Sequence, residues 1–392
     1  MWWFSLAGAA TLTVGPGQSY ASVGAAINAA SSGDTIEIHA GTYTVRSTVT
    51  RDLHFVGVGT VVLRSSGGLL PMLDVQAAAT FDNLVFDGLG SATCLQASTF
   101  PGRATLDVTD SVFQRCSLGI YAVDGVTLHV VHSLFRDDVQ GLVAEGVARV
   151  ERSGFVRDDF GADVGRYGVF VGNAFVDTVH ASISIHDLHD HRVLENVFCN
   201  GGAYGAIDAE VFDGDPTAVA LIQGNRFLAN HGTSSAALDI DNHGYGGITT
   251  VNVVGNTFVD NGGPVAAHLR AKGVAVALLD DLFALGDGAA PALVAEDGRN
   301  YYGQPLPGSI SGDYLLFWSN AGGDLGGSLL PGDLGSHTLW GTDPLFGSYV
   351  ADADCSDDLE LLPGSPAIDA GDPGLTDHRD GSRADIGWVP YR

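Results

Sequence analysis

Ser111-Val112-Phe113, Ser133-Leu134-Phe135, Ser153-Gly154-Phe155, Asn173-Ala174-Phe175, Asn196-Val197-Phe198, Asn225-Arg226-Phe227, Asn256-Thr257-Phe258 and Asp281-Leu282-Phe283 share one form, a small polar residue two positions before a phenylalanine. Successive phenylalanines are 22, 20, 20, 23, 29, 31 and 25 residues apart. Self-similarity at such a period marks a solenoid. Alternating strands precede most of the triplets, as in Val126-Thr127-Leu128-His129-Val130-Val131 and Thr250-Val251-Asn252-Val253-Val254. A repeat of strand, polar-x-Phe, turn and second strand has the length of one coil of a parallel β-helix, whose coils stack about 4.8 Å apart and align identical positions in ladders. The phenylalanines then form a core stack, and the Asn side chains at the turn bond the backbone of the next coil. Phe86 fits this pattern less well, because Leu84 occupies the polar place. A leucine-rich repeat needs a dense Leu framework and a tighter period, and both are missing.

Composition agrees with short strands and many turns: 45% of the 392 residues are hydrophobic, 16% are charged and 54 are Gly. Acids outnumber bases 46 to 18, giving a net charge of −28, and Lys272 is the only lysine. Such a surface repels nucleic acid and anionic membranes and weighs against unassisted capture of a polyanionic glycan. No apolar run reaches the roughly 18 residues of a membrane span, so no membrane insertion is expected. Residues 1–10 read as a remnant signal peptide: Met1-Trp2-Trp3-Phe4-Ser5-Leu6 is apolar and Ala7-Gly8-Ala9 has the small-x-small form of a cleavage site, although a positive leader is lacking. The expected location is therefore secreted or cell-surface. Cys94, Cys116, Cys199 and Cys355 contain no close metal-type pair; Cys94 and Cys116 are near enough in the repeat to meet, and nothing forces a pairing.

Both ends read as caps over the exposed edges of a solenoid spanning 11–300. Ser22 to Ala30 is an amphipathic helix candidate with Val23, Ala26, Ile27 and Ala30 on one face, and residues 301–392 read as an irregular closing segment packed on the last coils. The stretch Val14-Gly15-Pro16-Gly17, Ala26-Ile27-Asn28-Ala29-Ala30, Gly33-Asp34-Thr35-Ile36 and Gly41-Thr42-Tyr43 resembles the entry coil of the pectin-lyase-like right-handed β-helix superfamily. Asp343-Pro344-Leu345-Phe346, Ser365-Pro366-Ala367-Ile368-Asp369-Ala370-Gly371-Asp372 and Asp380-Gly381-Ser382-Arg383-Ala384-Asp385-Ile386-Gly387 resemble the closing segment of its secreted bacterial members. The resemblance covers nearly the whole chain and implies an all-β, right-handed parallel β-helix. It implies no single chemistry, since the superfamily holds lyases, hydrolases, epimerases, esterases and non-enzymes. The motifs of its polygalacturonase-like hydrolases are represented only by Asp158-Asp159 and His231-Gly232, so no catalytic role is carried over.

Candidate chemistry lies on the strand after each Phe turn. Ile183-Ser184-Ile185-His186, Ile207-Asp208-Ala209-Glu210, Leu238-Asp239-Ile240-Asp241 and Ala267-His268-Leu269-Arg270 alternate apolar and polar, which predicts Ile183, Ile207, Leu238 and Ala267 inward. Stacking then gives an outward column of Ser184, Asp208, Asp239 and His268 beside one of His186, Glu210, Asp241 and Arg270. Carboxylates about 5 Å apart raise one another's proton affinity unless a cation or base compensates. Asp208, Glu210, Asp239, Asp241, His268 and Arg270 are the candidate catalytic set, with Ser184, His186, His243 and Tyr245 as substrate-binding candidates in a groove. Being outward, these groups are expected to contribute little to packing. His186, His189 and His191 form a second, weaker metal candidate, and Asp369, Asp372, Asp377, Asp380 and Asp385 a tail site for Ca²⁺ or simply turn-forming acids.

These residues leave several readings open. A hydrolase would use one carboxyl as acid and another as base or nucleophile. A lyase would hold Ca²⁺ on Asp208, Asp239 and Asp241, with Glu210 beside them, while Arg270 or His268 removes the proton at C5. Either would be a monomeric, extracytoplasmic protein acting on a polysaccharide or cell-surface glycan. The alternative is a non-catalytic surface or structural solenoid or adhesion module, whose repeats present an extended face.

Overall fold

The computed structural model describes residues 8–98, 104–165, 167–212, 219–233, 235–244, 250–350, 355–377 and 381–387. Two compact units divide the chain, Met1–Gly154 and Phe155–Arg392. Residues 1–7 of the leader candidate, Tyr245 and Asp380 lie outside the described residues.

In the first unit, Ser22 caps the helix Val23–Ala29, its side chain accepting from the Ala25 N–H, and Val23, Ala26 and Ile27 are buried as their spacing predicts. Two coils built on the long strands Thr35–Val45 and Leu53–Ser65 follow, and from Ala79 on each coil has three short strands, for example Val126–Val131, Leu134–Arg136 and Gln140–Ala144. The Phe triplet is thus itself a strand, where alternation alone predicted a turn. Val112–Gln114 pairs in parallel with Val85–Asp87 and Leu134–Arg136, which stacks Phe113 on Phe86 and Phe135 with ring centroids 4.7 and 4.9 Å apart. Phe86 therefore belongs to the ladder despite Leu84. The Ser111 and Ser133 N–H groups donate to the hydroxyls of Ser133 and Ser153, one coil on. Cys94 and Cys116 form a disulfide.

The second unit repeats the plan with larger side chains. Phe155, Phe175, Phe198, Phe227, Phe258, Phe283 and Phe317 stack in sequence at 4.3 to 5.2 Å, and Trp340 continues the column at 4.8 Å. Asparagine replaces serine at the polar position. Asn173, Asn196, Asn225 and Asn256 each donate from the backbone N–H and from Nδ2 to the side-chain oxygen of the next rung, ending on Asp281. Asn196, Asn225 and Asn256 donate their second Nδ2 hydrogen to the Phe170, Val193 and Ile222 carbonyls, so these buried amides are satisfied. Before each polar rung the backbone turns through the left-handed region, at Gly172, Glu195, Gly224, Gly255 and Asp280, which swings the chain from one wall to the next.

Asp281 is fully buried, and burial pushes its carboxyl well above the usual range despite the bonds it accepts from Asn256 and Leu279. Because the folded state holds that proton more tightly than the unfolded chain, its contribution favours folding at low pH and is lost as pH rises through the folded value. Asp281→Asn keeps an acceptor for Asn256 and removes the titration, but its Nδ2 cannot accept from the Leu279 N–H as Oδ2 does. The variant is expected to show a flatter stability profile than the parent between pH 4 and pH 8; a profile as steep as the parent's would contradict a titrating Asp281.

Parallel pairing runs on past residue 300, through Ser309–Asp313, Leu316–Trp318, Leu325–Gly327 and Leu339–Trp340. The chain then doubles back: Leu359, Leu361, Ala367 and Ile386 cover an apolar strip that includes Leu228, Val259, Leu282 and Leu316. A disulfide ties Cys355 to Cys199, and the Asp372 N–H donates to Asp280. The tail carboxylates serve local turns, Asp385 accepting from the Asp369 N–H and Asp372 from the Gly374 N–H.

Candidate functional site

The wall that carries the candidate residues lies wholly in the second unit. Strands Ala181–Ile185, Ile207–Val211, Leu238–Asn242 and Leu269–Lys272 pair in parallel, aligning Ile183, Ile207, Leu238 and Leu269 as buried rungs. Their alternation turns the intervening residues outward in two columns. One runs Asp163, Ser184, Asp208, Asp239 and Arg270; the other runs Glu210, Asp241, Lys272 and Glu296. His186 lies just beyond its strand, with Nε2 2.8 Å from Asp163 and Nδ1 3.9 Å from Glu210. The hydrogen bond to Asp163 raises the imidazole above its ordinary value against the opposing effect of burial.

The last strand sits two residues away from the expected register. Leu269, not Ala267, stacks on Leu238, so Arg270 faces Asp239 and Lys272 faces Asp241. A two-residue shift preserves which side chains face inward, so alternation cannot detect it. The observed register fills the core with Leu and sets both cations against carboxylates. His268 consequently leaves the outward set. It sits in the corner before the strand, fully buried, with its ring 6.0 Å from those of Phe258 and Phe283. Asn261 Nδ2 lies 3.2 Å from Nδ1, and Nε2 lies 3.0 Å from Asn320 Oδ1. Burial lowers this imidazole to about 4, and a neutral ring with its proton on Nε2 satisfies both contacts.

Asp239 is 2% exposed and is gripped by the Arg270 fork, Nε to Oδ1 at 2.7 Å and Nη2 to Oδ2 at 2.8 Å. Burial raises its carboxyl more than Arg270 lowers it. For Arg270, burial acts downward, but the hydrogen bonds to Asp239 and the charges of Asp239, Asp241 and Glu296 outweigh it, so the guanidinium is held above its ordinary value. The fork leaves Arg270 ion-paired with Asp239. Asp241 accepts from Lys272 Nζ at 2.6 Å, with Arg270 Nη2 at 3.7 Å and His243 Nε2 at 3.3 Å.

Asp208 differs from both. It is half-buried between Ser184 and Asp239, and no hydrogen bond or ion pair from the described residues reaches it. Burial, then the negative charges of Asp239 and Glu210, push its carboxyl up to about 6, with Arg270 as a partial offset. It can therefore be protonated in mildly acidic solution while remaining uncommitted.

Of the three carboxylates in the Ca²⁺ candidate, Asp239 binds Arg270 and Asp241 binds Lys272. His186, His189 and His191 do not converge: the first pairs with Asp163, the second lies 3.4 Å from Asp190, and the third is buried and lowered to about 4 by that burial. Among the described residues no group of three or more His, Cys, Asp or Glu is arranged to hold a metal ion.

The aromatic residues Phe160, Tyr204 and Phe212 were not among the binding candidates. Phe160, His180 and Tyr204 stack where three successive coils enter this wall, with centroids 4.8 and 5.9 Å apart. Phe212 follows Ile207–Val211 at its other end, its ring 6.3 Å from that of His243. The signal was an aromatic or His just outside each alternating segment, where strand parity no longer assigns a side.

These parallel coils define the protein as a right-handed parallel β-helix. The catalytic unit of a thermostable GH87 α-1,3-glucanase from Streptomyces thermodiastaticus strain HF3-3 is similar in structure, with a TM-score of 0.57 and 13% identity over 86% of this chain and 69% of that one. Pectate lyase Pel9A gives 0.40 and 15% over 98% of each chain. A mannuronic-acid-specific family 6 polysaccharide lyase from human gut microbiota gives 0.42 and 13%, over 83% of this chain and 84% of that one. No family model matches the chain, and no curated protein matches its sequence. Likeness at these identities is one of fold.

Proposed function

We propose that the protein binds and hydrolyses a neutral polysaccharide outside the cytoplasm, with Asp208 as the acid that protonates the departing sugar oxygen. The observation that carries this reading is the uncommitted, half-buried Asp208 in a row whose neighbours Asp239 and Asp241 are each tied to a cation. Glu210 is the base in this scheme. Two residues along the same strand, it stands with its Cα about 6.7 Å from that of Asp208. The separation of the two carboxyl groups, set by their side-chain rotamers and not by the Cα spacing, decides the stereochemical outcome of such a hydrolysis. A lyase is supported less, because both of its candidate bases are engaged: Arg270 is ion-paired with Asp239 and His268 is buried in the core.

Net charge of −28 favours a neutral glycan over a polyanion. The fold-similar glucanase is named for a neutral glycan, so α-1,3-glucan heads the panel of probes. Secretion is supported by disulfides engaging all four cysteines, a pattern of oxidising compartments. Among the described residues no helix is long and apolar enough to cross a membrane.

The test is incubation of the purified protein with neutral and acidic polysaccharides, with and without chelator, reading reducing ends and unsaturated-sugar absorbance. Reducing ends without absorbance are expected, chelator having no effect. Turnover should decline as pH rises through about 6, because the acid must carry its proton. Asp208→Asn should lose about 100-fold in turnover at an unchanged melting temperature. Unsaturated products would turn the reading to a lyase, and binding without cleavage to the non-catalytic alternative.

A further inference from the structure

The geometry points to the rings at the two ends of strand Ile207–Val211 as sugar-stacking subsites, so that the glycan crosses the wall along this strand with Tyr204 on one side of Asp208 and Phe212 on the other. The inference rests on the glycan reading above and adds the path of the chain and the groups that hold it.

Tyr204 and Phe212 are 38% and 37% exposed, in contrast to the fully buried Phe ladder, and among the exposed aromatic residues they are the two that flank the strand of Asp208. Each is four residues from Asp208, at most about 13 Å along an extended chain. A short oligosaccharide spans that distance on either side of the acid. Both rings have fixed supports. Tyr204 ends the stack begun by Phe160 and His180, and the next coil places Ser235 at the equivalent position, so the column of rings stops at the level of Asp208. Gly205, at φ +76, holds the turn behind it, and a Cβ there would lie 2.1 Å from the Ala236 carbonyl oxygen. On the other side the Phe212 N–H donates to Asp187, and Gly244 packs so tightly under Phe212 that a Cβ would lie 2.2 Å from its carbonyl oxygen.

The chemistry of the two directions differs. Up the coils a ligand would meet Asp163, Ser184, Asp239 and Arg270, ion-paired or polar groups with no ring among them. Along the strand it meets ring, acid, second acid and ring. A pyranose presents an apolar C–H face and a rim of hydroxyls, which suits an aromatic platform followed by carboxyl acceptors. The same carboxyls disfavour a uronate chain.

Affinity electrophoresis in gels containing α-1,3-glucan, xylan or mannan tests this with the intact protein, Asp208→Asn, Tyr204→Ala, Tyr204→Phe and Phe212→Ala. Tyr204→Ala and Phe212→Ala are each expected to weaken retardation by the bound glycan about tenfold at unchanged melting temperature, whereas Tyr204→Phe retains it, because the ring and not the hydroxyl does the holding. Retardation of the parent without any cleavage would remove the catalytic reading and leave the subsites standing on the same comparison. Parent-like retardation of both alanine variants would overturn the subsites while the function stands. A parent that no neutral glycan retards overturns both.

Discussion

Phe175→Ala is expected to lower the unfolding free energy by about 3 to 5 kcal/mol. Its ring is fully buried and stacked on Phe155 at 4.6 Å and Phe198 at 5.1 Å, with Phe170 tilted against it at 6.3 Å. Collapse cannot fill the space, because the neighbours are held in register by the backbone: Ala174–Val176 pairs residue for residue with Val197–Cys199, and the Asn173 amide is fixed to Asn196. The cost therefore combines lost burial, a residual cavity and lost ring contacts. Denaturant unfolding should show a lower midpoint with an unchanged slope. Phe212→Ala, at an exposed ring, serves as the control and should shift the midpoint little. A Phe175→Ala loss no larger than that of the control would remove the column as the source of stability.

The same column explains what was legible beforehand. Residues that occupy identical positions in stacked coils must repeat along the chain, so the polar-x-Phe triplets disclosed both the core and the amide ladder. Phe317 escaped because Leu315 stands at the polar place and Phe283 lies 34 residues before it, and Trp340, 23 residues further on with Thr338 at the polar place, escaped because the rung changes from Phe to Trp. On the site wall, the Ile183, Ile207 and Leu238 rungs correctly aligned Ser184 with Asp208 and Asp239, and Glu210 with Asp241. The next coil failed because Ala267, Leu269 and Ala271 all satisfy the inward pattern, leaving two registers that alternation cannot separate. What separates them is ion pairing across strands, which a pattern of apolar and polar letters does not contain. Cys199–Cys355 was equally hidden, since it depends on the tail doubling back across the coils.

That register makes Arg270→Ala the second large effect, expected to cost about 3 to 5 kcal/mol near pH 8, because removing one partner leaves a buried carboxylate uncompensated. The columns were expected to be outward groups with little bearing on stability, but the Arg270 side chain is 16% exposed and that of Asp239 3%, so water cannot replace the lost fork. The direction of the pH dependence follows from Asp239, whose folded carboxyl already lies above its ordinary value through burial. Without the guanidinium it rises further. A group held above its unfolded value favours folding below that value and loses the advantage as pH climbs, so the gap between variant and parent should widen from pH 4 to pH 8. Asp239→Asn added to Arg270→Ala removes the stranded charge and should recover part of the loss at pH 8 but little at pH 4. Denaturant midpoints of the parent, both single variants and the double variant at the two pH values measure the coupling. An Arg270→Ala penalty that is small, or that does not grow with pH, would mean that Asp239 is solvated and that Asp208 lacks the low-polarity neighbourhood on which its role as an acid depends.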